Sequence, residues 1–311
     1  MTMQFAELAG ATAPEGAISP DEIIALRRMC WADGAIGTGE ADAIFALNDR
    51  LSTPSREWIE FFVEAIGAML IEQSNPRGYV SPEAADWLIA RIEADGQPAS
   101  AAELELLVHL AERASAEPTR LKAFALAQLE AAVLTGSGPT RDGERLDPGC
   151  INAAEAKLLR RLIFASGGDG PACVSKGEAE LLFRLKDATL NAANAPEWQQ
   201  LFVQGVGNYL QGMAGAEAPS AAREAELERF IATPEPGLLG FMGRMGQSLG
   251  NRSARSAAFA PSAVPQRQWD REEADAAAVT PAEQGWLETE IEADGQRDPY
   301  EDALLAFLAE R

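Results

Sequence analysis

Apolar residues in this chain recur every three to four positions, with charged and small residues between them, which is the spacing of amphipathic helices. After Ile18, the run Ser19-Pro20-Asp21-Glu22 precedes Ile23, Ile24 and Leu26. A serine followed three residues later by glutamate satisfies amides that a helix start otherwise leaves orphaned. Trp58, Phe62, Val63, Gly67 and Leu70 keep the helical period over a longer segment. Pro82 follows Ser81 and Pro281 follows Thr280, placing proline at a first helical position, where its missing amide costs nothing. Asp33-Gly34, Asp95-Gly96 and Asp294-Gly295 mark places where helices stop and reverse. Runs of alternating Val, Ile, Thr and Tyr are missing, so the pattern predicts an all-α fold without a substantial sheet.

The same pattern occurs twice. Ile18 to Arg28 reads against Ile151 to Arg161, with Ser19 and Glu22 opposite Asn152 and Glu155. Glu40-Ala41 with Phe45, Leu47 and Asp49 matches Glu178-Ala179 with Phe183, Leu185 and Asp187. Trp58, Phe62, Val63, Gly67 and Leu70 match Trp198, Phe202, Val203, Gly207 and Leu210. Val80-Ser81-Pro82, Trp87 and Ala94-Asp95-Gly96-Gln97 match Val279-Thr280-Pro281, Trp286 and Ala293-Asp294-Gly295-Gln296, and Ala111-Glu112-Arg113 matches Ala309-Glu310-Arg311. Self-similarity of this kind predicts two divergent copies of a unit of roughly five helices. Residues 1–17 read as a tail, 18–116 as the first unit, 117–150 as a connecting helix and linker, and 151–311 as the second unit with an insertion at about 213–278. Each tryptophan has apolar partners at three- and four-residue spacing, which predicts buried anchors for Trp58 and Trp198.

Composition adds limits. The chain has 311 residues, 47% apolar and 24% charged, with a formal net charge of −22. These are the proportions of a globular protein, and the charge repels a nucleic-acid backbone over most of the surface. No stretch has the length and apolarity of a spanning helix, and residues 1–17 lack the features of a secretory signal. Three cysteines without CxxC spacing, Cys30, Cys150 and Cys173, fit free thiols in a reducing compartment. Cytoplasmic location is the resulting expectation. Cys30 falls on an apolar helix face, whereas Cys150 and Cys173 flank the first helix of the second unit.

The chain has one histidine, His109, which argues against His-dependent nucleophile systems and His-rich zinc sites. It aligns with Phe307, so a place on or near a buried face is expected. The sharpest local motif is Ala32-Asp33-Gly34-Ala35-Ile36-Gly37-Thr38-Gly39-Glu40. Its order matches the second half of a calcium loop, in which glycine bends the chain, Ile packs inward and the last glutamate chelates. Asp33 and Glu40 are therefore the candidate metal ligands, for Ca2+. Met29 and Trp31 stand where early ligands belong, and the other reading is a helix-ending Asp-Gly turn with Glu40 opening the next helix.

The Ala-Asp-Gly-x-Ile turn with Glu40-Ala41, together with the second turn at Ala94 to Gln97, resembles the TerB-like tellurite-resistance family. The resemblance implies small all-helical domains with acidic turns, calcium binding in some members, and work in stress-related or membrane-associated assemblies.

The insertion is chemically unlike the rest. Residues 237–268 contain no acidic side chain and carry Arg244, Arg252, Arg255 and Arg267. Leu238, Leu239, Phe241, Met242, Met245 and Leu249 make an apolar stripe beside Arg244. Leu238, Phe241, Met242, Arg244, Met245, Leu249, Arg252 and Arg255 are thus the candidate partner-binding residues, suited to a partner's groove, to peripheral contact with an anionic membrane, or to this protein's own acidic surface; a disordered linker is the other reading. The function expected is a non-enzymatic protein–protein interaction or scaffold protein. A calcium sensor is the first alternative, and an enzyme with a carboxylate site between the units is the second.

Overall fold

A computed structural model describes residues 16–32, 34–115, 118–136, 149–165, 174–211, 281–292 and 297–309. Among these residues there are eleven α-helices and no strand, so the all-α expectation holds. They are α1 (Pro20–Cys30), α2 (Thr38–Asn48), α3 (Arg56–Gly67), α4 (Pro82–Ile92), α5 (Ala101–Arg113), α6 (Thr119–Thr135), α7 (Ala153–Ile163), α8 (Lys176–Thr189), α9 (Pro196–Leu210), α10 (Pro281–Glu292) and α11 (Pro299–Ala309). All belong to one compact unit, Met1–Ala218 with Val279–Arg311. No described helix is long and apolar enough to cross a membrane. The candidate recognition residues from Leu238 to Arg255 lie outside the described residues, as do Asp33 and Cys173.

The helix starts follow from side chains able to satisfy orphaned amides. Ser19 with Glu22, Ser100 with Glu103, Asn152 with Glu155 and Ser175 with Glu178 each form a reciprocal capping box. Helix α3 begins at Ser55, whose hydroxyl accepts from the Trp58 amide at 3.2 Å. Beyond Gly67 it continues as a π turn, Ala68–Glu72, which the apolar period did not announce.

The core is built on rings. Phe45 meets Phe62 edge-on at 5.0 Å and Trp87 at 5.8 Å; Phe183 meets Phe202 edge-on at 5.1 Å and Trp286 at 5.6 Å. Trp58 and Trp198 are both fully buried, each 6.4 Å from the phenylalanine four residues on. Helix α3 packs on α5 and α9 on α11. Both crossings are close at a glycine: a Cβ on Gly67 would lie 3.1 Å from His109, and one on Gly207 would lie 2.6 Å from Phe307. These glycine–ring contacts fall at positions that the sequence pairs, Gly67 with His109 and Gly207 with Phe307. Helices α5 and α6 both meet α7. Across this joint Arg161 on α7 grips Glu105 and Glu112 on α5, with contacts of 2.7 to 2.8 Å.

One aligned pair differs in chemistry. In the first half, Trp58 Nε1 donates to Asn48 Oδ1 at 3.0 Å, and Asn48 Nδ2 donates to Ser100 Oγ at 3.0 Å. At the position of Asn48 the second half has Lys186, 1% exposed, whose Nζ donates to Asp298 and Glu301 at 2.6 Å and lies 2.7 Å from Asp187. Asp298 in turn caps α11, accepting from the amides of Tyr300 and Glu301. An ammonium cannot accept, so Trp198 Nε1 has no hydrogen-bond partner among the described residues.

Candidate functional site

A groove of about 570 Å³ lies where α3 meets α5. Its floor comes from Ile59, Val63, Gly67, Ala68 and Ile71, which lie three, four or one residue apart along α3 and its π turn. That spacing keeps them on one face. Ala68 is part-exposed on this face, while Gly67 is buried with the His109 ring against it. Trp31, at the end of α1, adds an aromatic wall and meets Phe61 edge-on at 6.4 Å.

Charged groups ring this floor. Glu60, Glu64, Glu72 and Glu105 line the groove against one lining cation, Arg113. Three of the carboxylates are exposed and held only at the surface: Glu60 by Arg56 at 2.9 Å, Glu64 by Arg27 at 2.6 Å, and Glu72 by Arg77 at 3.6 Å. Glu105 differs, because its two oxygens are engaged by Arg161. That guanidinium, shared between Glu112 and Glu105, is held still more firmly protonated by both, and it keeps Glu112 below the usual carboxylate range.

His109 stands half-buried on the α5 side of the groove, against Gly67. Burial holds its pKa below the ordinary 6.5, and the neighbouring Arg113 adds to that effect, while Glu112 and Glu105 oppose it. The imidazole is therefore chiefly neutral at pH 7, able to donate through one nitrogen and accept through the other.

A smaller cavity of about 270 Å³ opens between α6 and α8. Ala123, Leu126, Ala127 and Leu181 make it mostly apolar. At its base Lys122 and Glu178 form a buried pair, with Nζ 2.6 Å from Oε1. The other Glu178 oxygen accepts from Ser175 N and Oγ, both at 2.8 Å. This pair ties α6 to the start of α8 and so has a structural task already.

The sequence-predicted residues fall in several places. Ile36 in the Asp-Gly turn is buried, as the motif requires. Glu40 is buried at the third position of α2, where its Oε2 accepts from the Gly37 amide at 2.9 Å. That carboxylate oxygen opens the helix; Asp33 and the eight candidate recognition residues are outside the described part of the chain. Cys30 is buried in the core, and Cys150 is unbridged, its Sγ 3.2 Å from the Ala193 carbonyl oxygen. His109 lies on a buried face as expected but also borders the groove. Glu60, Glu64, Glu72 and Arg113 were not singled out from sequence. For Glu60 and Glu64 the signal is in the aligned segments: Ile59, Glu60, Glu64 and His109 align with Gln199, Gln200, Gln204 and Phe307. No family model, curated protein or solved structure matches the chain.

Proposed function

We propose that this chain is a non-enzymatic interaction protein, made of two divergent copies of one helical unit, whose first copy binds a partner in the α3/α5 groove. What carries the reading is that groove: Ile59 and Ala68 part-exposed over buried Val63, Gly67 and Ile71, beside exposed carboxylates, with an aromatic wall. Apolar surface of this kind gains free energy when a partner removes it from water, at about 25 cal/mol per Å², and charged rims set which partner approaches. The aligned face of the second copy carries glutamines in place of Ile59, Glu60 and Glu64, so on this reading the copies divide the work: one binds, the other supports.

In the same proposal the basic, apolar segment holding Leu238, Phe241, Met242, Arg244, Met245, Leu249, Arg252 and Arg255 serves as a second recognition element, in a stress-related or membrane-associated assembly. Its arginines suit an anionic surface.

A photoreactive amino acid placed at Glu64, with a control at Glu197, tests the reading. Glu197 is exposed at the start of α9. In the native cell the reading predicts a discrete covalent adduct from Glu64 and none from Glu197. The same diffuse background from both positions would count against the groove.

A further inference from the structure

We infer that the occupant of the α3/α5 groove is a basic amphipathic helix of a partner protein, its apolar side on the Ile59–Ile71 floor and its lysines or arginines on Glu60, Glu64 and Glu72. The inference rests on the reading of the groove as a binding site and adds the chemistry of what binds there.

Length is the first argument. At 1.5 Å per residue the floor from Ile59 to Ile71 runs for roughly 18 Å, the length of about three turns of helix. A helix laid in a groove presents anchors at positions i, i+3, i+4 and i+7. On that floor Ile59 and Ala68 are part-exposed and form the apolar seats, over buried Val63, Gly67 and Ile71.

Charge is the second argument. Four glutamates and one arginine line the groove, and His109 is chiefly neutral beside them. The arginines that pair with Glu60, Glu64 and Glu72 are outside the lining. Their side chains are 87% exposed for Arg56, 44% for Arg27 and 70% for Arg77. Exposed pairs of this sort hold weakly, so a cationic side chain brought in by a docked helix exchanges for them readily. Glu105, gripped by Arg161, does not exchange and belongs to the joint between the halves. The net charge of −22 draws a basic segment toward the protein from a distance. An acidic helix meets the opposite overall field, and Arg113 is the one arginine in the lining to receive it.

The single histidine makes the test specific, because one imidazole resonance reports the groove. The full-length protein is titrated with three synthetic peptides of roughly 14 residues, about four turns if helical: an amphipathic Leu/Lys helix, its Leu/Glu counterpart, and a Lys/Gly peptide that cannot form an apolar face. The probed protein is compared with Ile59→Gln/Glu60→Gln/Glu64→Gln, which installs the residues aligned in the second half. The inference predicts that the Leu/Lys peptide alone moves the His109 resonance and lowers its pKa further. It also predicts affinity about tenfold weaker in the triple variant and weakening as salt rises.

Equal binding of the Lys/Gly peptide, or equal affinity for the triple variant, would show general attraction to an acidic protein and overturn the inference. A raised His109 pKa with the Leu/Glu peptide would assign the groove to an anion on Arg113; that result sinks the inference while leaving the groove a binding site. If none of the peptides moves the resonance, the inference fails, and the adduct at Glu64 decides separately whether the groove binds anything. Should the triple variant not fold, the contrast among the three peptides on the native protein still decides.

Discussion

Lys186→Met removes the ammonium that faces two buried carboxylates. Asp298 is 5% exposed and Glu301 is fully buried, and each lies 2.6 Å from Nζ. The variant leaves both negative charges out of water without that counterion, and breaking a buried pair in this way costs about 3–5 kcal/mol. Against a total stability of about 5–15 kcal/mol, the effect is large. Urea unfolding followed by far-UV circular dichroism measures it. Lys186→Met/Asp298→Asn/Glu301→Gln removes charge from both sides, keeps a capping side chain at 298, and is expected to recover most of the loss. The pH dependence supplies a sign. Burial alone favours the neutral amine, but hydrogen bonds to Asp187, Asp298 and Glu301 outweigh it and raise the Lys186 pKa. Its stabilising effect is therefore full below the unfolded value of about 10.4 and is lost as pH rises through the higher folded value. The gap between wild type and Lys186→Met should stay constant through neutral pH and narrow only above about pH 10. A single variant within about 1 kcal/mol of wild type, or a triple variant no better than the single, would refute the reasoning.

Three further outcomes follow from the same structure. Trp58→Phe should destabilise more than Trp198→Phe, by about 1–3 kcal/mol, because only Trp58 Nε1 has an acceptor, Asn48; equal losses in urea melts would contradict the pairing. His109 has a lowered folded pKa, set by burial and then Arg113, with Glu112 and Glu105 opposing, Arg161 contributing from α7, and Glu60, Glu64 and Glu72 across the groove. Between that lowered value and the unfolded 6.5 the unfolded chain binds more protons, so stability falls as pH drops through this window; a wild-type loss no larger than that of His109→Gln would assign the effect elsewhere. The Cys30 thiol is pushed up to about 12 by burial and by Glu40, so in a Cys150→Ser/Cys173→Ser background it should react with a thiol reagent only on unfolding, and fast reaction in the native state would show an open core.

The helices were legible because local chemistry and long-range burial agree in them. Ser19 with Glu22 and Asn152 with Glu155 cap the helices that the apolar period predicts, and Trp58 and Trp198 are buried as their neighbours required. The π turn at Ala68–Glu72 was not legible, since its residues suit an α-helix equally well. The groove was hidden for a different reason. Glu60 and Glu64 on α3 and Glu72 on its π turn share a groove with Arg113 and His109 on α5 only through the crossing of two helices more than thirty residues apart in sequence, and surface glutamates are abundant in a chain with 48 acidic residues. The Asn48 and Lys186 contrast was equally silent: a lysine on a helix reads as solvated until the fold brings Asp298 and Glu301 to it.

Hydrogen exchange on the full-length protein, free and with the partner captured through Glu64, tests the binding role of the groove most directly. Slowed exchange is expected to concentrate in residues 56–72 and 101–113, together with the end of α1 around Trp31, while α9 and α11 exchange as in the free protein. Slowing confined to α9 and α11, with α3 and α5 unchanged, would contradict it.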